Sequence, residues 1–124
     1  MRIQETDMGF DLVYQGKTLL LPVGHSTSLD CGTLADYGLT LFQTQGGLVC
    51  NRSSLLFKHN LVVGLGCIDQ GYSGTLTVSL TNHGLDDYLI ETGDRVAQLV
   101  IIQLAQYPIR NTQRQDRGFG SSGK

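Results

Sequence analysis

Arg52-Ser53-Ser54 is the first point in the chain where residue types suggest a bound anion. Two hydroxyls stand ahead of Leu55-Leu56-Phe57, and Lys58-His59 close the segment. Residues 53–59 therefore read as one short helix, with a hydroxyl residue suited to cap its start and cations near its end. The first N–H groups of a helix have no partner within it, so with Arg52 beside them they make an anion site. Gln98 is a second point. It stands in the Val- and Ile-rich run 95–104, and an amide in an apolar strand needs a hydrogen-bond partner. Gly64, Gly66 and Gly71 form a third, because glycine lets another group approach the backbone closely. The three cysteines, Cys31, Cys50 and Cys67, are odd in number and show no CxxC or Cys/His ligand spacing. They are expected to be buried free thiols, neither a zinc site nor a disulfide framework.

The elements that must hold these groups are strands. Leu76, Val78 and Leu80 alternate with Thr75, Thr77, Ser79 and Thr81, the period of a strand with one wet face. Run 95–104 is apolar almost throughout, as a strand buried on both faces would be. Residues 19–23 and 39–42 read as further strands. Turns are expected at Gly46-Gly47, Asn82-His83-Gly84 and Thr92-Gly93-Asp94. Sixteen glycines and no tryptophan in 124 residues fit one domain of many short strands. A net charge of −2 and a pI near 5.8 give no basic surface for non-specific nucleic-acid binding, so no nucleic-acid partner is expected, while a single nucleotide is allowed. No leader follows Met1, and no apolar run approaches the roughly 18 residues of a membrane span. The expectation is a soluble intracellular protein, of cytoplasm or nucleus, with no membrane partner. Segment 110–124 differs from the rest. It is polar, ends in Gly and Ser, and carries Arg110, Arg114, Arg117 and Lys124 against Asp116. By itself it reads as a disordered terminus.

That segment and four others, taken in order, change this reading. They are Met8-Gly9-Phe10-Asp11-Leu12, then Arg52-Ser53-Ser54-Leu55, then 66–74 (Gly-Cys-Ile-Asp-Gln-Gly-Tyr-Ser-Gly). Gly93-Asp94-Arg95-Val96-Ala97-Gln98-Leu99 is the fourth, and 114–123, with Gly118-Phe119-Gly120-Ser121-Ser122-Gly123, is the fifth. Together they span nearly the whole chain and resemble the five motifs of the trimeric dUTPase family. The resemblance implies an all-β fold, an eight-stranded jelly roll or β-clip barrel with one short helix. It implies a β domain over 1–108 and a C-terminal arm over 109–124 that closes over a neighbouring subunit's site. It also implies a homotrimer with three sites at subunit interfaces, and hydrolysis of dUTP to dUMP and pyrophosphate with Mg²⁺, which keeps uracil out of DNA.

The same resemblance implies a role for each residue. Asp69 orients the water that attacks the α-phosphorus; a carboxylate is a weak base at neutral pH, so positioning and electrostatics are its contribution. Tyr72 packs under the deoxyribose and excludes a 2′-hydroxyl. A hairpin over 63–72, with Gly66 and Ile68, reads uracil through backbone groups. Arg52, Ser53, Ser54 and Gln98 hold phosphates, and Asp11 holds metal-bound water or supports the neighbouring site. From the arm, Phe119 stacks on uracil, Arg114 acts as an arginine finger, and Gly120, Ser121 and Ser122 complete the binding of substrate. Mg²⁺ binds through the phosphates and water, in keeping with its preference for hard oxygen ligands.

The chain departs from the family pattern in four places. Asn51 replaces a proline, which removes a fixed φ and no chemical group. Gly71 replaces a second Asp, and a charge near the metal is lost. Gln115, Asp116 and Arg117 stand where the arm is usually glycine-rich. The stretch around 25–32 is longer than usual, and a regulatory protein partner would use it. A catalytically weak, dUTPase-like binding protein is the alternative these departures raise. A dCTP deaminase relative is the other, but Ser79 stands where that chemistry requires Glu, and no zinc ligands offer a substitute.

Overall fold

The computed structural model describes residues 8–105. The expected arm, with Arg114, Phe119, Gly120, Ser121 and Ser122, lies outside them. Nine strands are formed among the described residues: β1 (Phe10–Val13), β2 (Leu19–Leu21), β3 (Ser26–Thr33), β4 (Gln45–Cys50), β5 (Leu61–Val63), β6 (Gly66–Ile68), β7 (Thr75–Asn82), β8 (Tyr88–Ile90) and β9 (Arg95–Gln103). A 3-10 turn spans Leu34–Tyr37, and the single α-helix, α1, spans Ser53–His59. The strands pair antiparallel in three sheets, β1-β9-β4-β6, β3-β7-β5 and β2-β8. The chain is all-β, with the jelly-roll-like arrangement expected. Nine strands stand where eight were implied because the run from 61 to 68 breaks at Gly64-Leu65. Its first half pairs with β7 and its second with β4.

The core lies between the sheets. Strand β7 turns Leu76, Val78 and Leu80 inward and leaves Thr75, Thr77 and Ser79 exposed. Leu12, Leu21, Leu29, Leu61, Ile90 and Leu99 join them with almost no exposed surface. Each such side chain contributes roughly 1.5–3 kcal/mol by leaving water. One polar residue is fully buried among them, Asn82. Its Nδ2 donates to the carbonyls of Leu21 (3.0 Å) and Asp86 (2.9 Å), and its Oδ1 accepts from Gly84 N–H (2.8 Å). This amide fixes the expected 82–84 turn to β2.

Several sequence expectations are corrected. Strand 19–23 stops at Leu21, because Pro22 cannot donate to a ladder. Residues 39–42 form no strand; they connect the 3-10 turn to β4, with Leu41 buried and Phe42 exposed. Gly46-Gly47 is no turn but part of β4. Residues 63–72 are not a hairpin, since β5 and β6 belong to different sheets. The stretch 25–32 is no surface loop: most of it is β3, the long partner of β7. Cys31 is buried, but Cys50 is half-buried and Cys67 exposed. Run 95–104 is buried on both faces only at its start, where Val96 also joins the core. Ala97, Leu99 and Ile101 pack on the core, while Val100 and Ile102 are half-buried outside it.

Candidate active site

The sheet order brings distant segments together. Asp11 of β1 and Cys50 at the end of β4 both lie directly opposite Gln98 of β9, on either side of it. Opposite residues share a face, so Asp11 and Gln98 project on the outer face of this sheet. There they meet the residues that follow β4. The result is a cavity of about 360 Å³ lined by Met8, Gly9, Asp11, Arg52, Ser53, Ser54 and Gln98. The first, second and fourth motifs thus converge on one place.

Its chemistry is that of an anion receptor. The cap position of α1 is Arg52, in extended conformation and with no side-chain capping bond. This corrects the expectation of a hydroxyl cap: Ser53 and Ser54 lie inside the first turn, and their hydroxyls are not used to close the helix. Arg52 Nε donates to Asp11 Oδ1 at 3.2 Å, and its Nη1 donates to the Arg95 carbonyl at 3.4 Å. Arg95 Nη1 lies 3.6 Å from the other oxygen of Asp11. Arg52 and Asp11 are half-buried at the surface and Arg95 is exposed, so solvent screens both ion pairs and each contributes no more than about 1 kcal/mol. Their consequence is orientation, since two bonds fix the Arg52 guanidinium. Behind Arg52 a second cavity, of about 370 Å³, is lined by Arg52, Leu55, Tyr88, Gly93, Asp94 and Arg95. There burial pushes the Tyr88 phenol pKa up; Asp94 adds to the rise and Arg52 opposes it.

Gln98 Nε2 donates to the Asn51 carbonyl at 2.9 Å. That is the partner its apolar setting required, and its carbonyl oxygen is left over for a ligand or water. Asn51 is a residue whose part sequence reasoning missed. Its Nδ2 donates to the Leu61 carbonyl and its Oδ1 accepts from Val63 N–H, both at 2.9 Å. The replacement of proline therefore adds a chemical group that the structure uses. Arg95 was given no role either, although it stands in the fourth motif; its partner Asp11 is brought to it only by the pairing of β1 with β9.

The third motif lies elsewhere. Gly66 and Ile68 belong to β6, the outer strand of its sheet among the described residues. Asp69 follows it, exposed, and opens a turn closed by Tyr72 N–H donating to the Asp69 carbonyl at 3.1 Å. Gly71 takes a φ of +80° there, the left-handed region that favours glycine over the family's Asp. Tyr72 is partly exposed, and its hydroxyl donates to the Thr75 carbonyl at 2.8 Å. None of Gly66, Ile68, Asp69 or Tyr72 lines the cavity of Arg52 and Gln98.

Among the described residues, no three His, Cys, Asp or Glu side chains cluster as a metal cage. Asp11 is the one carboxylate lining the cavity, and it already bridges two arginines. This donor set fits a cation carried by a ligand's own phosphates rather than one held by protein alone. No described helix is long and apolar enough to cross a membrane.

Known proteins match this chain closely. A dUTPase family model matches residues 1–123, and the chain belongs to the dUTPase family. The deoxyuridine 5'-triphosphate nucleotidohydrolase of Mannheimia succiniciproducens is 38% identical over 124 residues, covering 94% of this chain and 74% of the relative. That of Pasteurella multocida is 37% identical over 120 residues, covering 90% and 72%. Among solved structures, the native EIAV dUTPase superposes with a TM-score of 0.72 at 27% identity, covering 86% of this chain and 87% of that one.

Proposed function

We infer that this chain is a dUTP diphosphatase, hydrolysing dUTP to dUMP and pyrophosphate. The observation that carries the reading is the convergence of Arg52, Ser53, Ser54 and Gln98 on one cavity in a chain of this family. Phosphoryl transfer asks a protein for positioning and charge neutralisation more than for covalent chemistry. The triphosphate lies against these donors. Water attacks the α-phosphorus in line; its O–P bond forms as the bond to the β-phosphate bridging oxygen breaks, and pyrophosphate leaves. Asp69 orients the water, Tyr72 excludes the 2′-hydroxyl, and the β6 backbone at Gly66 and Ile68 reads uracil. From the arm, Phe119 covers the base and Arg114, Gly120, Ser121 and Ser122 close on the phosphates. Asp11 would be the cavity's one carboxylate near a Mg²⁺ brought by the phosphates, and such an ion would supply charge neutralisation.

The assembly that completes such a site is a homotrimer. Asp69 lies away from its own chain's cavity, so the Asp69 that serves this cavity comes from a neighbour. A second observation supports this. Leu48, Val100 and Ile102 share the outer face of the β1-β9-β4-β6 sheet with Asp11 and Gln98. They are half-buried, and they do not pack on the core. A copy seated on that apolar surface also walls the cavity.

The test is pyrophosphate release from dUTP with Mg²⁺, beside dCTP, dTTP and UTP. Release from dUTP alone, abolished by Asp69→Asn with nucleotide binding retained, is the expected result. Near-normal turnover in Asp69→Asn removes Asp69 from its role, and an inert wild type removes the reading itself.

A further inference from the structure

Asn51 sits where the cavity of Arg52 and Gln98 is joined to β5. Its side-chain amide donates to Leu61 and accepts from Val63, so it satisfies the outer edge of β5 as a neighbouring strand would. Strand β5 is the end of its sheet among the described residues, and both residues are buried, so the half-buried amide occupies the edge that no strand covers. Its backbone carbonyl holds Gln98. The next residue is Arg52, which begins α1 and the phosphate cavity. On the other side, β5 runs through Gly64-Leu65 into β6 and Asp69. One residue therefore ties the phosphate-binding groups to the strand that leads to the base-reading edge.

We propose that Asn51 is a positioning residue for the reaction, setting the cavity of Arg52 and Gln98 against β5 and so against the Asp69 turn. The proposal rests on the diphosphatase reading. In the trimer, one chain's Asp69 and cavity serve different sites, so the Asn51 amide keeps adjacent sites in register.

The chemistry of the amide supplies the test. A protonated carboxylic acid has the same shape as an amide, with one oxygen that accepts and one O–H that donates. An ionised carboxylate has no donor for Leu61 O. Asn51→Asp should therefore be rescued as pH falls, whereas Asn51→Ala should not. The assay is kcat/KM for dUTP as a ratio to wild type, at pH values from about 8 to about 3.5, a range that crosses the ordinary Asp carboxyl pKa of about 3.9, below each variant's unfolding temperature. The neighbouring groups, Arg52 with Asp11 and Arg95, and the thiol of Cys50, are present in all three proteins, so their own titration cancels in the ratio, and Asn51→Ala separates loss of the amide from the charge added in Asn51→Asp. The expected result is a loss of about tenfold or more for both variants at the upper pH. Asn51→Asp then recovers towards wild type on acidification while Asn51→Ala stays flat. The binding of inorganic triphosphate should weaken in the same pattern. Ratios near one at every pH, with only the unfolding temperature lowered, make Asn51 a purely structural residue and overturn the proposal. Equal, pH-independent losses in both variants overturn it too. A wild type that neither turns over dUTP nor binds inorganic triphosphate overturns the diphosphatase reading, and this inference with it.

Discussion

Gly47→Ala should destabilise this protein, and the sign is informative because a competing effect opposes it. Gly47 lies in β4 between Ile68 of β6 and Ile101 of β9. A Cβ added there would lie 3.0 Å from Leu99 Cδ1 and 3.2 Å from Ile68 Cβ, inside the roughly 3.5–4.0 Å of favourable carbon contacts. Leu99 is fully buried and walled in, so Ile68, on the outer strand, has to move. Overpacking of this kind costs about 1–3 kcal/mol. Replacing a strand glycine also removes unfolded-state freedom, which stabilises by about 0.5–1 kcal/mol. The clash wins, with a net loss of up to roughly 2.5 kcal/mol. Gly66→Ala is the control, since its nearest neighbour is Val49 Cβ at 3.8 Å, an ordinary contact. There the entropy term stands alone, and a gain of a few tenths of a kcal/mol or more is expected. The assay is the urea midpoint at matched protein concentration, because the proposed trimer would link stability to concentration. Displacing β6 also shifts Asp69, so turnover of dUTP should fall in Gly47→Ala while inorganic triphosphate binds as in wild type. A Gly47→Ala protein as stable as wild type would refute the close-packing argument and leave conformational freedom as the reason for this glycine.

Three further outcomes are expected. Asn82→Ala leaves the Leu21 and Asp86 carbonyls and the Gly84 N–H without their partner, which should cost about 3 kcal/mol or more; an unchanged urea midpoint would show that water takes its place. The Cys31 thiol pKa is pushed up from 9.0 to about 12 by burial, with Asp30 adding to the rise. The unfolded chain therefore loses this proton above pH 9 while the folded chain keeps it, so stability falls by up to about 1.4 kcal/mol per pH unit between the two values. Unfolding at pH about 8 and about 10 should show that slope reduced in Cys31→Val, and equal slopes would contradict it. Removing 110–124 should leave the assembly folded with turnover nearly lost, read by size and pyrophosphate release, whereas dissociation to monomers would make the segment structural.

What could be read from the sequence depended on whether the cause of a feature was local. The alternation of β7 is visible because one face is wet and the other buried, and α1 because its apolar and basic residues follow helical order. Gly46-Gly47 was misleading because glycine is chosen for two reasons, positive φ or the lack of a Cβ. Neither residue has a positive φ, and Leu99, the side chain that forbids a Cβ at Gly47, lies 52 positions away. Apolar residues at 39–42 looked like a strand but have no partner to pair with, and pairing is a property of the sheet. Asn51 differs from the family pattern, yet the Leu61 and Val63 groups that give its amide a use are brought to it only by folding. The five motifs did not reveal that the first, second and fourth meet at one cavity in one chain while the third does not. That division follows from the sheet order. With β9 between β1 and β4, Asp11, Gln98 and the Arg52 segment share one place, while β6, across β4 from β9, carries Asp69 away to the sheet's edge. The apolar surface of Leu48, Val100 and Ile102 continues from the cavity on that same face. On the trimer reading proposed above, the carboxylate this cavity lacks and a cover for this half-buried apolar surface both come from a neighbouring copy seated on one sheet face.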